Sequence, residues 1–291
     1  MQNKLNNKSL APIVLFTYNR PDHLKKVLDS LMKNKESSIS DLVVYSDGPK
    51  TSSDVVKVKQ VRTILDSLNG FGSVRIIKRE NNLGLANSVI FGVTKVLEEN
   101  DRIIVLEDDL LVSPYFLSYM NQCLELYEDS VNVASIVGYS YPLNQPLPNT
   151  FFLKGAACWG WSTWKKKWES FECDSETLLR KFTRETKEEF NHYNHFDYFK
   201  MLELQAMNKI HSWGIRWHAS AFLEGLYSLY PKRSFVHNIG MDGTGVHSTK
   251  TNAFDTEIEL EFPTVKKVSV EQDSEIAIAV GKHLNSALYE S

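Results

Sequence analysis

The sequence predicts an α/β domain built on a mostly parallel sheet with helices on both faces. Between residues 11 and 137, short apolar runs alternate with longer segments whose apolar residues recur at helical spacing. The apolar runs are almost free of polar residues, which is typical of parallel strands buried on both faces.

Five strands and four helices follow from this alternation. The apolar runs predict strands at residues 11–16, 42–46, 74–77, 102–106 and 133–137. Helical spacing predicts helices over residues 24–32, 58–68, 86–97 and 114–127. Ser113 and Pro114 would start the last of these helices. Beyond residue 255 we expect short strands and then a helix over residues 274–288.

Polar residues break the pattern directly after the first, second and fourth strands, at residues 17–20, 47–48 and 107–109. The carboxyl ends of parallel strands lie at one edge of a sheet, and ligands of such sheets bind beyond that edge. The three breaks therefore predict one binding site.

The most informative break is Glu107, Asp108 and Asp109, which follow a buried strand directly. Strand side chains alternate, so Glu107 and Asp109 should point one way and Asp108 the other. Massed carboxylates are unfavourable unless a cation joins them. Oxygen ligands favour Mn²⁺ or Mg²⁺, which commonly shares phosphate oxygens. The stretch predicts a metal-bridged phosphate ligand; the alternative is a solvated turn or a helix cap.

Composition narrows the function classes. The net charge of -3 gives no basic footprint, so we expect no nucleic-acid partner. The three cysteines lack metal-ligand spacing and indicate reduced thiols of a cytoplasmic protein. No apolar run approaches the roughly 20 residues that span a bilayer. We expect any contact with the inner membrane to be peripheral.

All six tryptophans lie between residues 159 and 217. Trp161, Trp164 and Trp168 are spaced i, i+3 and i+7, which predicts one face of a helix. Trp164 and Trp168 fit a core stripe. Trp159 and Trp161 flank Gly160, and either core packing or contact with a flat sugar ring fits them.

Several blocks, in this order, resemble the nucleotide-sugar glycosyltransferases of the GT-A fold. They are residues 15–21 (LFTYNRP), 46–48 (SDG), 81–86 (NNLGLA), 106–109 (LEDD), 159–164 (WGWSTW) and 238–247 (NIGMDGTGVH). Their order is similar to that of bacterial family 2-type enzymes that build surface polysaccharides, and more faintly to that of animal N-acetylglucosaminyltransferase I. The resemblance spans roughly residues 10 to 250.

The resemblance implies a Rossmann-like GT-A domain in two halves. Residues 1–140 would bind the nucleotide sugar, residues 141–255 would bind the acceptor, and residues 256–291 would form a peripheral tail. It implies metal-dependent transfer from a nucleotide-diphosphate sugar, UDP-linked by preference, to a glycan or lipid-linked glycan acceptor. The product would be O-antigen, capsule or lipopolysaccharide-type polysaccharide.

The resemblance also implies roles for matching residues. The implied donor-binding residues are Thr17, Asn19, Arg20, Asp47, Gly84, Leu85, Asn87, Glu107 and Asp108. The first three would line the nucleotide pocket, Asp47 would accept a hydrogen bond from the base, and the others would lie near the ribose and the sugar. Asp109 would ligate the metal, and His247 would bind the metal or the diphosphate. Arg20 also suits phosphate on physical grounds, as a permanent cation beside a helix N-terminus.

The general base is the weakest part of the pattern. An inverting enzyme needs a base within hydrogen-bond reach of the acceptor hydroxyl. Related enzymes often carry an acid within the region of residues 209–217, where this chain has His211 and Gly214. His211 is the first candidate, and Asp197 and Glu203 on a nearby predicted helix are others. A retaining mechanism, which needs no such base, stays open.

Two other functions stay open. A sugar nucleotidyltransferase also places acids and a metal beside a nucleotide, but it would want a glycine-rich loop, and residues 17–22 contain no glycine. A non-catalytic glycan-binding relic would keep the fold and lack a base.

Overall fold

The computed structural model describes residues 10–243 and 250–289 of the 291-residue chain. In these ranges the strands are β1 (Ile13–Thr17), β2 (Asp41–Ser46), β3 (Ser73–Lys78), β4 (Arg102–Glu107), β5 (Leu110–Val112), β6 (Val133–Val137), β7 (Thr150–Lys154), β8 (Trp161–Trp164), β9 (Tyr227–Pro231) and β10 (Val236–Asn238). The α-helices are α1 (Pro21–Leu31), α2 (Val55–Asp66), α3 (Leu85–Glu99), α4 (Phe116–Leu126), α5 (Lys165–Trp168), α6 (Ser175–Arg180), α7 (Arg184–Phe190), α8 (Tyr198–Ala206), α9 (Trp213–Leu223) and α10 (Ser274–Tyr289).

Eight strands form one sheet in the order β3-β2-β1-β4-β8-β6-β9-β7. Parallel pairs join β3, β2, β1 and β4 on one side and β6 with β9 on the other. Strand β8 runs antiparallel between β4 and β6, and β7 runs antiparallel at the edge. The predicted mostly parallel sheet is confirmed, and so are the five predicted strands, which are β1 to β4 and β6.

Side chains of β1 show that both faces of the sheet are covered. Ile13 and Leu15 pack in one core cluster, whereas Val14 and Phe16 pack in a second. The alternation is that of a strand buried on both faces, which explains why residues 13–16 of β1 are all apolar.

The helix predicted from the tryptophan spacing is wrong over residues 161–164, which form strand β8. Only Lys165–Trp168 is helical. As strand residues three apart, Trp161 and Trp164 face opposite sides, and they belong to different core clusters. Backbone hydrogen bonds to β4 and β6 on both sides outweigh a side-chain spacing that also fits a helix.

The C-terminal helix is confirmed as α10. The short strands expected before it are reduced to two isolated bridges, Phe152 with Gln272 and Ser234 with Ile258. Ile276 and Val280 of α10 are buried in the same cluster as the β1 residues Ile13 and Leu15. The tail thus contributes to the main core, although it was expected to be peripheral; the boundaries at residues 140 and 255 stay predictions.

Over the described ranges, none of the helices has the combination of length and hydrophobicity needed to cross a lipid bilayer.

Candidate active site

The three acids lie where the strand pattern places them, at the carboxyl end of β4. The Tyr18 backbone N–H donates to Asp108 Oδ2 at 2.9 Å, and Arg20 Nη1 donates to Asp109 Oδ2 at 2.9 Å. Both donors belong to the loop between β1 and α1. This loop therefore holds two of the three carboxylates, as expected if the polar breaks share one edge of the sheet.

The pKa values of the three carboxyl groups are all raised. Burial, and then the charge of Asp109, raises the pKa of Glu107 well above its usual range. The same causes raise the pKa of Asp108 to about 7. Burial also raises the pKa of Asp109, although the Arg20 guanidinium opposes this shift. A divalent cation at this position would favour the ionised forms, so the donor set fits Mn²⁺ or Mg²⁺.

A metal here would need ligands from outside the protein. Within residues 10–243 and 250–289, no group of three histidine, cysteine, aspartate or glutamate side chains converges to hold an ion. Asp109 could supply one carboxylate, with phosphate oxygens and water completing the shell, as is common for Mg²⁺. His247, the other predicted ligand, lies outside the described residues.

A glycine segment that follows β10 packs against Asp109. Strand β10 pairs antiparallel with β5, and the Ile239 N–H donates to the Asp109 carbonyl at 2.9 Å. A Cβ placed on Gly240 would lie 2.1 Å from Asp109 Oδ2. A glycine is therefore required for the close approach to the acid.

Two residues after Gly240, Asp242 Oδ2 lies 3.1 Å from His23 Nε2 of α1. The sequence reasoning assigned no role to Gly240, His23 or Asp242. The glycines around residue 240 were a visible signal, but the pairing of β5 with β10 was not.

Asp47 lies at the end of β2, and the structure corrects its expected contact with a base. Its Oδ1 accepts from the N–H groups of Gly48 and Leu83 at 3.0 Å, and its Oδ2 accepts from Gly84 at 3.0 Å. The side chain is 5% exposed. Protein donors thus occupy this carboxylate, and it holds the turn that precedes α3.

The turn leads to exposed residues. Gly84 has φ +74°, in the left-handed region that favours glycine, and it caps α3. Leu85 and Asn87 in the first turn of α3 are exposed. Both are accessible to a ligand at the sheet edge.

The β1–α1 loop also carries the other nucleotide-site candidates. Thr17 is buried, and its hydroxyl finds no hydrogen-bond partner among the described residues. Asn19 Nδ2 donates to Asp54 Oδ1 at 2.7 Å. Asn19 is thereby tied to the segment that starts α2, whereas the Thr17 hydroxyl is buried.

The two tryptophans proposed for sugar contact differ. Trp161 is 0% exposed and packs against Trp213, Trp217 and Trp168, so the proposal of a sugar face is wrong for Trp161. Trp159 is half-buried, and its ring meets Tyr139 and Phe254 edge to face at 4.7 and 5.3 Å. Trp159 keeps an accessible part and stays a candidate.

Of the candidate bases, His211 lies directly before α9, whereas Asp197 lies at the start of α8 and Glu203 within it. His211 is exposed and precedes Ser212, whose hydroxyl caps α9 by accepting from Ile215 N–H. Asp197 caps α8 instead, since its Oδ1 accepts from Lys200 N–H at 2.9 Å and from an asparagine amide. Glu203 pairs with Lys200 at 3.1 Å. Of the three, His211 is the candidate without a structural partner of this kind in the described parts of the chain.

Cys158 relates the start of α9 to the acids. A Cβ on Gly214 would lie 3.4 Å from Cys158 Sγ. Burial raises the pKa of Cys158 to about 12, and the charges of Glu107 and Asp109 add to this shift. The Cys158 thiol is thus near both the acids and the α9 N-terminus.

The chain was compared with curated protein sequences and with solved structures. Curated protein sequences give no match to the chain. Among solved structures, TarS of S. aureus aligns at 14% identity and TM-score 0.33, over 50% of this chain and 24% of TarS. TarS 1-349 aligns at 11% identity and TM-score 0.43, over 79% of this chain and 60% of that one. The mannosyltransferase PcManGT from Pyrobaculum calidifontis, in complex with GDP-Man and Mn²⁺, aligns at 12% identity and TM-score 0.33, over 46% of this chain and 36% of that one.

The chain thus spans from 24% to 60% of the length of these structures. The family model "Glycosyl transferase family 2" matches residues 13–206, which is more than half of the chain and includes β1 to β4 with all three acids. The α/β sheet with its acid-tipped β4 is accordingly a GT-A-like fold, and the chain belongs to glycosyl transferase family 2.

Proposed function

We propose that this chain transfers a sugar from a nucleotide-diphosphate donor, UDP-linked by preference, to a glycan or lipid-linked glycan acceptor, with the help of Mn²⁺ or Mg²⁺. The observation that supports this proposal is the cluster of carboxylates at the carboxyl end of β4 in a family 2 chain, where Asp108 is buried, Glu107 and Asp109 are half-buried, and Arg20 is the near cation. We further propose that the product is a cell-surface polysaccharide and that the protein works in the cytoplasm, peripheral to the inner membrane.

In this proposal, acidic residues, one cation and one histidine have different roles in binding and catalysis. Asp109 would hold a divalent cation, which would stabilise the charge of the leaving diphosphate as a Lewis acid. Arg20, which pairs with Asp109 in the described structure, carries the fixed positive charge for phosphate. Glu107 and Asp108 face the ribose or the donor sugar. His211 removes the proton of the acceptor hydroxyl in an inverting reaction.

The metal role is tested by calorimetry of UDP with and without Mn²⁺. Asp109→Ala should abolish the Mn²⁺-dependent part of UDP binding, because it removes the carboxylate assigned to the cation. Asp129→Ala, at an exposed position after α4, is the matched control and should bind as the wild type does. Unchanged metal-dependent affinity in Asp109→Ala would remove Asp109 from the metal site.

The donor class and the relic alternative are tested together. A thermal-shift screen of UDP-, GDP-, dTDP- and CMP-sugars, with and without Mn²⁺, should select one nucleotide. An active enzyme should then slowly release free nucleotide from the selected sugar, whereas a glycan-binding relic should not. Binding without any such release would favour the relic.

A further inference from the structure

The buried carboxylate of Asp47 acts as a cap for a helix in another part of the chain. The first N–H groups of an α-helix need acceptors, and α3 lacks a side-chain cap of its own because its N-cap residue is Gly84. Asp47 accepts from the N–H groups of Gly84 and Leu83 at 3.0 Å across the sheet edge. The end of β2 therefore fixes where α3 begins.

A second layer lies behind Asp47. Ser88 is 4% exposed, and its hydroxyl donates to Asp47 Oδ2 at 3.4 Å. Arg79, directly after β3, donates through Nη1 to the same Ser88 hydroxyl. Hydrogen bonds thus connect the Arg79 guanidinium, the Ser88 hydroxyl and the Asp47 carboxylate in a chain. Burial lowers the pKa of Arg79, and the negative charge of Asp47 opposes this shift.

Aromatic rings fix the guanidinium of Arg79. Its Cζ lies 5.0 Å from the centre of the Tyr45 ring and 5.3 Å from that of Phe91. Both contacts are cation–π interactions, and they restrict the guanidinium to one place. Arg79 is consequently a rigid anchor for the Ser88 hydroxyl.

The turn before α3 is packed tightly from the other side. A Cβ on Gly48 would lie 2.5 Å from the carbonyl oxygen of Glu80, and Asn82 Nδ2 donates to the Gly48 carbonyl at 2.9 Å. The turn at residues 81–84 is therefore clamped between Gly48 and the Asp47 carboxylate.

From these contacts we propose that Arg79 and Ser88 are positioning residues for the nucleotide-sugar donor, acting through Asp47 on the turn at residues 81–84. Neither residue touches the donor; they keep the exposed start of α3, at Leu85 and Asn87, in the donor-binding shape. The inference rests on the proposed function and extends it.

The physical reason is the free energy of a buried, unsatisfied polar group. Without the Ser88 hydroxyl, Arg79 Nη1 loses this acceptor and becomes the unsatisfied group, while Asp47 Oδ2 keeps only its backbone donors. The turn then occupies more conformations, and the apparent affinity falls by the fraction of molecules that keep the competent one.

The test measures binding of UDP with Mn²⁺, and of GDP with Mn²⁺ in parallel, by calorimetry. Ser88→Ala should weaken nucleotide binding about tenfold, as expected for loss of a hydrogen bond to a charged group. Ser135→Ala is the matched control, because Ser135 is also buried and hydroxyl-bonded, at 2.6 Å to Ser228. The control should lose thermal stability and keep the wild-type nucleotide affinity.

Arg79→Lys and a kinetic readout separate positioning from general stability. Arg79→Lys keeps the charge but lacks the planar guanidinium, so donor KM should rise while kcat and acceptor KM stay near wild type. Ser88→Thr, which retains the hydroxyl, should restore donor KM relative to Ser88→Ala. Ser88→Ala and Arg79→Lys proteins that bind nucleotide as tightly as the wild type would overturn the inference. A wild-type protein that binds neither UDP nor GDP would instead overturn the proposed donor class, and this inference with it.

Discussion

At the scale of single residues, the sequence predicted which groups gather but not how they are paired. The three acids, Arg20 and Asp47 all lie at the expected edge. The loss of Asp47 as a base contact could not be read from the sequence, because its partners Leu83 and Gly84 belong to a turn more than thirty residues away. Hydrogen-bond saturation of a side chain depends on tertiary contacts that residue types alone do not specify.

His211 carries the residue-scale prediction on catalysis. His211→Ala should lower kcat at least about 100-fold, since general-base catalysis commonly contributes that much, with little change in donor KM. Steady-state kinetics on the selected donor provide the measurement, and Asp129→Ala, at an exposed position, is the control and should keep the wild-type kcat. Full turnover in His211→Ala would discard it as the base and leave Asp197, Glu203 or a retaining reaction.

Two buried histidines predict how stability depends on pH. Burial, then the charges of His218 and His195, lowers the pKa of His192 to about 3, and burial lowers that of His218 to about 4. Both bind protons more readily in the unfolded chain, where the pKa is near 6.5. Their contribution to stability is therefore complete above pH 6.5 and is lost as the pH falls from there toward their folded values.

Urea unfolding at pH 7.5 and 5.5 tests this. Each of these histidines should remove about 1.4 kcal/mol of unfolding free energy over that interval. His192→Asn should reduce the loss by one such step; asparagine also tolerates the φ of +47° at this position. An unchanged pH dependence in His192→Asn would show that His192 is not the group responsible.

At the scale of elements, apolar runs predicted the strands well and spacing predicted the helices well. Five strands, β5 and β7 to β10, were not among those predicted, and β5 and β8 show why. β5 has three residues and directly follows the acids, and β8 carries tryptophans at a helical spacing. Both are defined by their partners, β10 for the first and β4 with β6 for the second, and pairing between strands that are not adjacent in the chain leaves no periodic signal.

Gly92 tests how closely α3 lies on the sheet. A Cβ at Gly92 would lie 2.6 Å from Phe16 Cε1 and 2.9 Å from Tyr45 Cε2. Gly92→Ala should therefore destabilise the protein by about 1–3 kcal/mol, although alanine is the better helix former. In α9, Gly214→Ala would meet Cys158 only at ordinary contact distance and should be neutral or gain up to about 1 kcal/mol. Equal effects of the two substitutions on urea unfolding would contradict the close packing of α3.

At the scale of the whole molecule, the chain is held together by core clusters that cross its halves. Residues of β1, β6, β9 and α10 share one cluster, so the start, middle and end of the described chain form one packed unit. The fold class could be predicted because each strand and each helix leaves its own local pattern of apolar residues, and the order of these patterns along the chain indicates the architecture. The contribution of α10 to the core could not be predicted, because the apolar face of a helix does not indicate which surface of the protein it packs against.

Val280 tests this role of α10. Val280→Asp places a carboxylate at a position that is 0% exposed and should lower the unfolding free energy by several kcal/mol or prevent folding. Leu288→Asp, on the same helix but 41% exposed, should change it by less than about 0.5 kcal/mol. Circular dichroism melts of both proteins give the comparison, and a mild effect at Val280 would mean that α10 detaches without cost to the rest.

Strand β8 limits where the chain can gain or lose residues. Its ladder is bonded on two sides, Ile104 with Ser162 and Ile136 with Ser162, so its register is fixed twice. Deleting one residue between Trp161 and Trp164 would leave them two positions apart, so both would face the same side of the sheet and one would lose its core cluster. Residues 141–149 of the connection between β6 and β7 have no regular structure, are half-buried or exposed, and bear no such register constraint. Changes of length should therefore accumulate in that connection, while β8 keeps its number of residues.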